Sequence, residues 1–168
     1  MEPSVMSVRI EGPLTSLADL PALEPLWVTL HAHHRAVASY RPLVSDVAAS
    51  WDRRRTWYAK LLADEGALFV ACDDQGQPLG YAMTQTEFGA DDTFKVVGGI
   101  VELVSLVVGE AARGKGIGAR LIEAVRDHAA RQGVDTLKVA VMAGNSRARR
   151  FYQDAGFEAG EEVLYHKI

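Results

Sequence analysis

The chain has 168 residues, 48% of them apolar and 24% charged, with a net charge of −4. That suits a single domain over 1–168 with its own core, and argues against a general nucleic-acid binder, which needs a basic surface. No apolar run approaches the ~18 residues of a membrane span, no signal-peptide pattern opens the chain, and the lone Cys72 can form no internal disulfide. A cytoplasmic protein without membrane partners is the expectation.

Taken in chain order, Ser4–Gly12 alternates Val5, Ser7, Arg9 with Met6, Val8, Ile10 and predicts a first strand. Residues 16–39 carry Leu23, Leu26, Trp27 and Leu30 at helical spacing, with Pro21 and Pro25 expected to interrupt the helix. Ser50 is read as the cap of a second helix containing Trp51, Trp57, Leu61 and Leu62. Residues 67–72 and 79–87 form a hairpin around the turn DDQGQP. Cys72 sits in the apolar run and reads as a buried thiol, since no activating neighbour accompanies it. After a polar loop at 88–95, Ile100–Val108 is an apolar strand broken only by Glu102 and Ser105.

In the second half, residues 115–132 form a helix with Ile117, Leu121, Ala124, Val125 and His128 on one face, stopped by Gly133. A strand at 136–142, a helix at 146–155 closed by Gly156, and one or two final strands from Phe157 onward, including 163–168, complete a mixed α/β order. There are no repeats and no linker.

Between the strand ending at Val108 and the helix lies ARGKGIG, Ala112–Gly118, with three glycines and two cations. A helix start presents unpaired N–H groups and about half a positive charge. Glycines let a ligand approach those N–H groups, and Arg113, Lys115 and Arg120 add full charges, which together make an anion site suited to phosphate. The surrounding stretch Arg113–Arg150 holds nine Lys/Arg against three Asp/Glu, a local +6 in a chain whose remainder is −10. The P-loop spacing is absent. A dinucleotide fingerprint through Gly114, Gly116 and Ala119 would need a tighter strand end and an acid closing the next strand, which instead ends Ala140-Val141-Met142.

The stretch LVVGEAARGKGIGARLIEAV, 106–125, resembles the acetyl-CoA-binding motif of the GNAT N-acetyltransferases, Arg/Gln-x-x-Gly-x-Gly/Ala, through Arg113, Gly116 and Gly118. GNSRARRFYQDAGFE, 144–158, resembles the family's second motif, one strand later. Glu110 and Ala112 depart from the proline and aromatic that the family often carries there. The resemblance implies an α/β fold of mixed α+β character, with a central, mostly antiparallel sheet, two splayed parallel strands and flanking helices. It implies acetyl-CoA as cosubstrate, bound through the backbone of Leu106, Val107 and Val108, through Arg113, Gly114, Lys115, Gly116, Ile117, Gly118 and Ala119, and through Asn145 and Arg149.

The resemblance also supplies catalytic candidates. Counting four residues back from Leu106 gives Glu102 as general base, in a position where residues 102, 104 and 106 of a regular strand share a face. Tyr152 matches the tyrosine that protonates the departing thiolate in many relatives. The expected reaction is direct acetyl transfer to a primary amine of a small molecule, peptide or protein. A non-catalytic acyl-CoA-binding module on the same fold, or a transferase of a longer acyl group, fits the same motifs. A homodimer is left open. His31, His33 and His34 lack a third ligand at zinc-like spacing, so no metal is expected; with Tyr40 they are candidates to line the acceptor site.

Overall fold

A computed structural model describes residues 7–40 and 43–168. Its sheet has five strands in chain order: β1 (Arg9–Leu14), β2 (Gly66–Cys72), β3 (Pro78–Phe88), β4 (Gly99–Val108) and β5 (Thr136–Val139). The first three pairings are antiparallel and only β4–β5 is parallel. The expected mixed, mostly antiparallel sheet is present. Val5 and Met6, at the expected start of the first strand, lie outside the described residues.

Two helices cover one face of the sheet: α1 (Glu24–Val37) and α2 (Val47–Ala63). Leu23, Trp27, Tyr58 and Leu62 pack there against Leu68, Val70, Tyr81, Met83 and Val107. The other face is covered by α3 (Ile117–Arg131), whose Ile117, Leu121, Ile122 and Val125 meet Phe69, Ala82, Val101 and Leu103. The short α4 (Ser146–Asp154) joins this second layer through Phe151 and Tyr152. Every residue of β2 is buried, as a strand packed on both faces requires.

Several boundaries differ from the sequence reading, each for a local reason. Pro21 opens a 3₁₀ turn and Pro25 lies in the first turn of α1, so the prolines start elements instead of interrupting one. Asp46, not Ser50, caps α2: its carboxylate accepts from the Ala49 N–H at 3.0 Å. On α2, Trp57 is exposed and Tyr58 takes the buried position. The strand expected to reach Met142 ends at Val139.

The expected final strands do not form: residues 157–168 carry no helix or strand. A strand needs a partner edge, and the tail instead packs Tyr165 on Tyr40 at 5.0 Å, against the chain that follows α1.

The buried interface of α1, α2 and the sheet is partly polar. The Tyr58 hydroxyl donates to Ser105 Oγ at 2.5 Å and lies 3.2 Å from the Tyr81 hydroxyl. His34 is half-buried on α1, and burial, with the nearby His33, Arg54 and His31, pushes its pKa down to about 4. The unfolded imidazole titrates near 6.5, so as pH falls the unfolded chain takes a proton that the folded one refuses. This stability is complete above about 6.5 and is lost progressively as pH falls to about 4. The melting temperature should drop across that window, and His34→Asn should make the drop shallower; an unchanged slope would show that His34 is not desolvated in the fold.

Candidate active site

β4 is paired asymmetrically. On one edge β3 follows it from Gly99 to Val108. On the other, β5 pairs only Ile100–Leu103, with partners Thr136–Val139. Past Leu103 the parallel strands have separated, and the backbone groups of 104–108 that point away from β3 have no strand to bond. Such groups need partners. The open edge leaves a slot with the form to take an amide-bearing chain as an extra strand.

Just where the slot begins, β4 carries one extra residue. Met83 opposes Ser105 and Thr84 opposes Leu103, leaving Val104 as a bulge. The bulge shifts the alternation of the strand. Val101 and Leu103 face α3, Val104 and Val107 face α1 and α2, and Leu106 and Val108 face α3 again. Glu102 therefore shares a face with Val104 but not with Leu106. The expected common face of 102, 104 and 106 is corrected on this point.

Glu102 is half-buried, opposite Gln85 on β3 and Lys138 on β5. Among the described residues it makes no ion pair, although Lys138 stands across from it.

The far end of the slot is built by the glycine-rich turn. The chain leaves β4 through Gly109, whose N–H bonds Leu79 O at 2.8 Å, and makes a short 3₁₀ turn at Glu110–Ala112. Arg113 folds back, its Nε donating to Val108 O at 3.0 Å. Its guanidinium fastens the turn to the strand end through this bond.

Gly114 and Gly116 have φ of +75° and +74°, the left-handed region that favours glycine, and nothing lies within 4 Å of where their Cβ atoms would be. The space above both is open to a ligand. Gly116 caps α3 without any side-chain hydrogen bond, so the N–H groups of Ile117, Gly118 and Ala119 have no intrahelical acceptor and no capping side chain. Ile117 is 1% exposed: its side chain anchors the helix start in the core, and only its N–H can serve a ligand. Gly118 has a different reason to be glycine. A Cβ there would lie 3.0 Å from Phe151 Cζ, so its bareness lets α4 approach α3.

The second wall of the slot comes from the loop after β5 and from α4. Asn145 is buried and caps α4, its Oδ1 accepting from the Ala148 N–H at 3.1 Å. The cap uses its acceptor and leaves the amide NH₂ as the group it can offer. Gly144 is in tight contact with the Val37 carbonyl, which brings this loop to the end of α1. Arg149 is exposed on α4, one turn beyond Asn145. Tyr152 sits edge-on to Phe151 at 5.2 Å and to Phe157 at 5.5 Å, and burial pushes its phenol up to about 12. Arg126 holds α3 to α4 by donating to Ala155 O.

Among the described residues no group of three His, Cys, Asp or Glu comes together to hold a metal, and no helix is long and apolar enough to cross a membrane. Cys72 is buried, which pushes its thiol pKa up and leaves it unsuited to nucleophilic work. Sequence reasoning missed the bulge at Val104 and the cluster of Arg54, Tyr58 and Ser105 behind it. Only pairing across strands and helices reveals either.

The family model for the acetyltransferase (GNAT) family matches residues 27–157. The chain belongs to that family. It is 28% identical over 157 residues to the L-methionine sulfoximine/L-methionine sulfone acetyltransferases of Pseudomonas paraeruginosa and Pseudomonas aeruginosa, covering 94% of this chain and 83% of each relative. Among solved structures it is similar to the aminoglycoside N-acetyltransferase AAC(6')-Iy in complex with CoA, with a TM-score of 0.65, 19% identity, and coverage of 96% of this chain and 98% of that one. A Bacillus halodurans protein has the same fold, at a TM-score of 0.72 and 19% identity, over 97% of this chain and 100% of that one. With this membership the chain is an N-acetyltransferase, and the open edge of β4 and the bare start of α3 are suited in shape and polarity to the acetyl-CoA that the family uses.

Gly116→Asp puts a carboxylate where an anion is expected. Acetyl-CoA should raise the melting temperature of the native protein and leave that of Gly116→Asp unmoved. Gly89→Asp, at another open positive-φ turn beside the opposite, Gly99 end of β4, should keep the full shift. A shift surviving in Gly116→Asp would contradict the anion site.

Proposed function

We propose that the protein acetylates a primary amine of a small molecule by direct attack of that amine on the thioester of acetyl-CoA. The pantetheine arm lies along the open edge of β4 at Leu106–Val108, and the pyrophosphate meets the N–H groups from Gly114 to Ala119. Lys115 adds charge there, and Asn145 and Arg149 approach from the α4 side. Relatives named for acetylating methionine sulfoximine, methionine sulfone and aminoglycosides support a small amine as acceptor.

The observation that carries the reading is the carboxylate of Glu102, without an ion-pair partner among the described residues, beside the point where β4 and β5 part. It takes a proton from the substrate ammonium. The free amine nitrogen then bonds to the acetyl carbonyl carbon, the carbon–sulfur bond breaks, and the nitrogen gives up its second proton to solvent. The departing thiolate takes the proton of the Tyr152 hydroxyl, which burial keeps in its protonated form at neutral pH. Solvent returns that proton, and Glu102 releases its own. No protein nucleophile is needed, in keeping with the buried Cys72.

Glu102→Gln should depress turnover most near neutral pH, with the deficit shrinking at high pH, where the amine loses its proton unaided. An equal deficit at every pH would make Glu102 structural. Tyr152→Phe keeps the ring and should cost about 10²–10⁴-fold in turnover, as for a lost general acid, with little change in cofactor affinity. Near-normal turnover in Tyr152→Phe would make it a packing residue. Both are read by thiol release from acetyl-CoA with the best amine of a panel.

A further inference from the structure

On the α1/α2 face of the sheet, behind the bulge of β4, lies an arginine that the reaction as described does not use. The Arg54 guanidinium carbon sits 4.3 Å from the Trp27 ring centroid, 4.8 Å from that of Trp57 and 5.6 Å from that of Tyr58. Aromatic rings attract a guanidinium over their faces and leave the N–H groups in its plane able to donate; of those of Arg54, one is directed at the Tyr58 hydroxyl. No carboxylate takes them: the acid nearest in sequence, Asp52, is paired with Arg55 at 3.6 Å, and Arg54 makes no ion pair among the described residues.

The hollow at this place, about 270 Å³, is lined by Trp27, Val44, Ser50, Arg53, Arg54 and Trp57. Among the described residues it holds two cations, one hydroxyl, two indoles and no acid. Trp27, whose ring faces Arg54, keeps its own Nε1 buried without an acceptor among the described residues. One side chain links Arg54 to β4. Tyr58, beneath Arg54, donates to Ser105, the residue next to the Val104 bulge. An amine approaching Glu102 from this face enters a field that is positive on the α2 side.

We propose that Arg54 binds the carboxylate of the acceptor and that the acceptor is therefore a small amino acid, its ammonium directed to Glu102 and its side chain set against the indoles. This deepens the N-acetyltransferase reading above and rests on it. A planar carboxylate takes two parallel N–H bonds from a guanidinium, which a neutral amide cannot match.

The test pairs each of the twenty standard L-amino acids and L-methionine sulfone with its carboxamide, in thiol-release assays with acetyl-CoA. The best acid should have a KM at least about tenfold below that of its amide. Arg54→Gln should raise the KM of the acid about 10–100-fold, in line with the loss of a charged hydrogen bond, and leave the amide nearly unchanged. Arg54→Lys should recover part of the loss, and Arg55→Gln, outside the hollow, should behave as wild type. Equal KM values for acid and amide in the native enzyme, or equal losses for both in Arg54→Gln, would overturn the assignment.

If no amine is turned over, the reading as an active transferase fails, and calorimetric titration of the same acids into the CoA-saturated protein decides the Arg54 site separately. Binding to the native protein and not to Arg54→Gln supports it; binding to neither, or equal binding to both, overturns it.

Discussion

The site depends on a mismatch in length between two neighbouring parallel strands. β4 is held along its whole length by β3, so its last residues are fixed in extended form. β5 covers only the first part of its other edge. A strand that is rigid and half-paired is an unusual thing to leave in a folded protein, because unmet backbone groups cost free energy when water is excluded. Here they stand ready for an amide-bearing arm. The helix that follows β4 starts at the end of this edge, so one chain segment offers both an unpaired strand edge and a bare helix start.

Keeping the two strands apart takes support on both sides. Ile117 roots α3 in the core. The bare Gly118 admits Phe151, and Arg126 reaches over to the end of α4, so α3 and α4 hold the α3 face of the opening together. On the opposite face, α1 passes from Gly109, near Leu26, to Gly144, near Val37. Charge is divided in the same way. The positive excess of Arg113–Arg150 lies on the α3 and α4 side, where phosphates are expected, and Arg54, with Arg53 beside it, stands behind the bulge, on the side from which an acceptor would come.

Much of this was legible in the sequence because it is local. The alternation of apolar residues, the glycines that stop α3 and α4, and the basic glycine-rich turn are each settled within a few residues of chain. What was not legible is tertiary. The bulge at Val104 leaves no trace in the run Leu103-Val104-Ser105-Leu106, where a shift in parity exchanges one apolar side chain for another. Asp46 and Ser50 are both good helix caps, and only packing chooses between them. Gly118 looked like a phosphate contact and is at least as much a contact with Phe151. The apolar tail 163–168 has the pattern of a strand, yet a strand exists only if an edge is offered to it, and Tyr40 offers Tyr165 a stacking partner instead. Arg54 was one of three consecutive arginines, unremarkable until two helices brought Trp27 and Trp57 to it.

The central claim is that the open edge of β4 is completed by the cofactor arm. Amide hydrogen exchange of the protein alone and with saturating CoA tests it most directly. Amides of 104–108 that point away from β3 should exchange quickly in the free protein and become protected on binding, while those of 100–103, already paired with β5, should change little. Protection confined to the start of α3, with no change along 104–108, would mean that the phosphates bind and the strand edge does not take part.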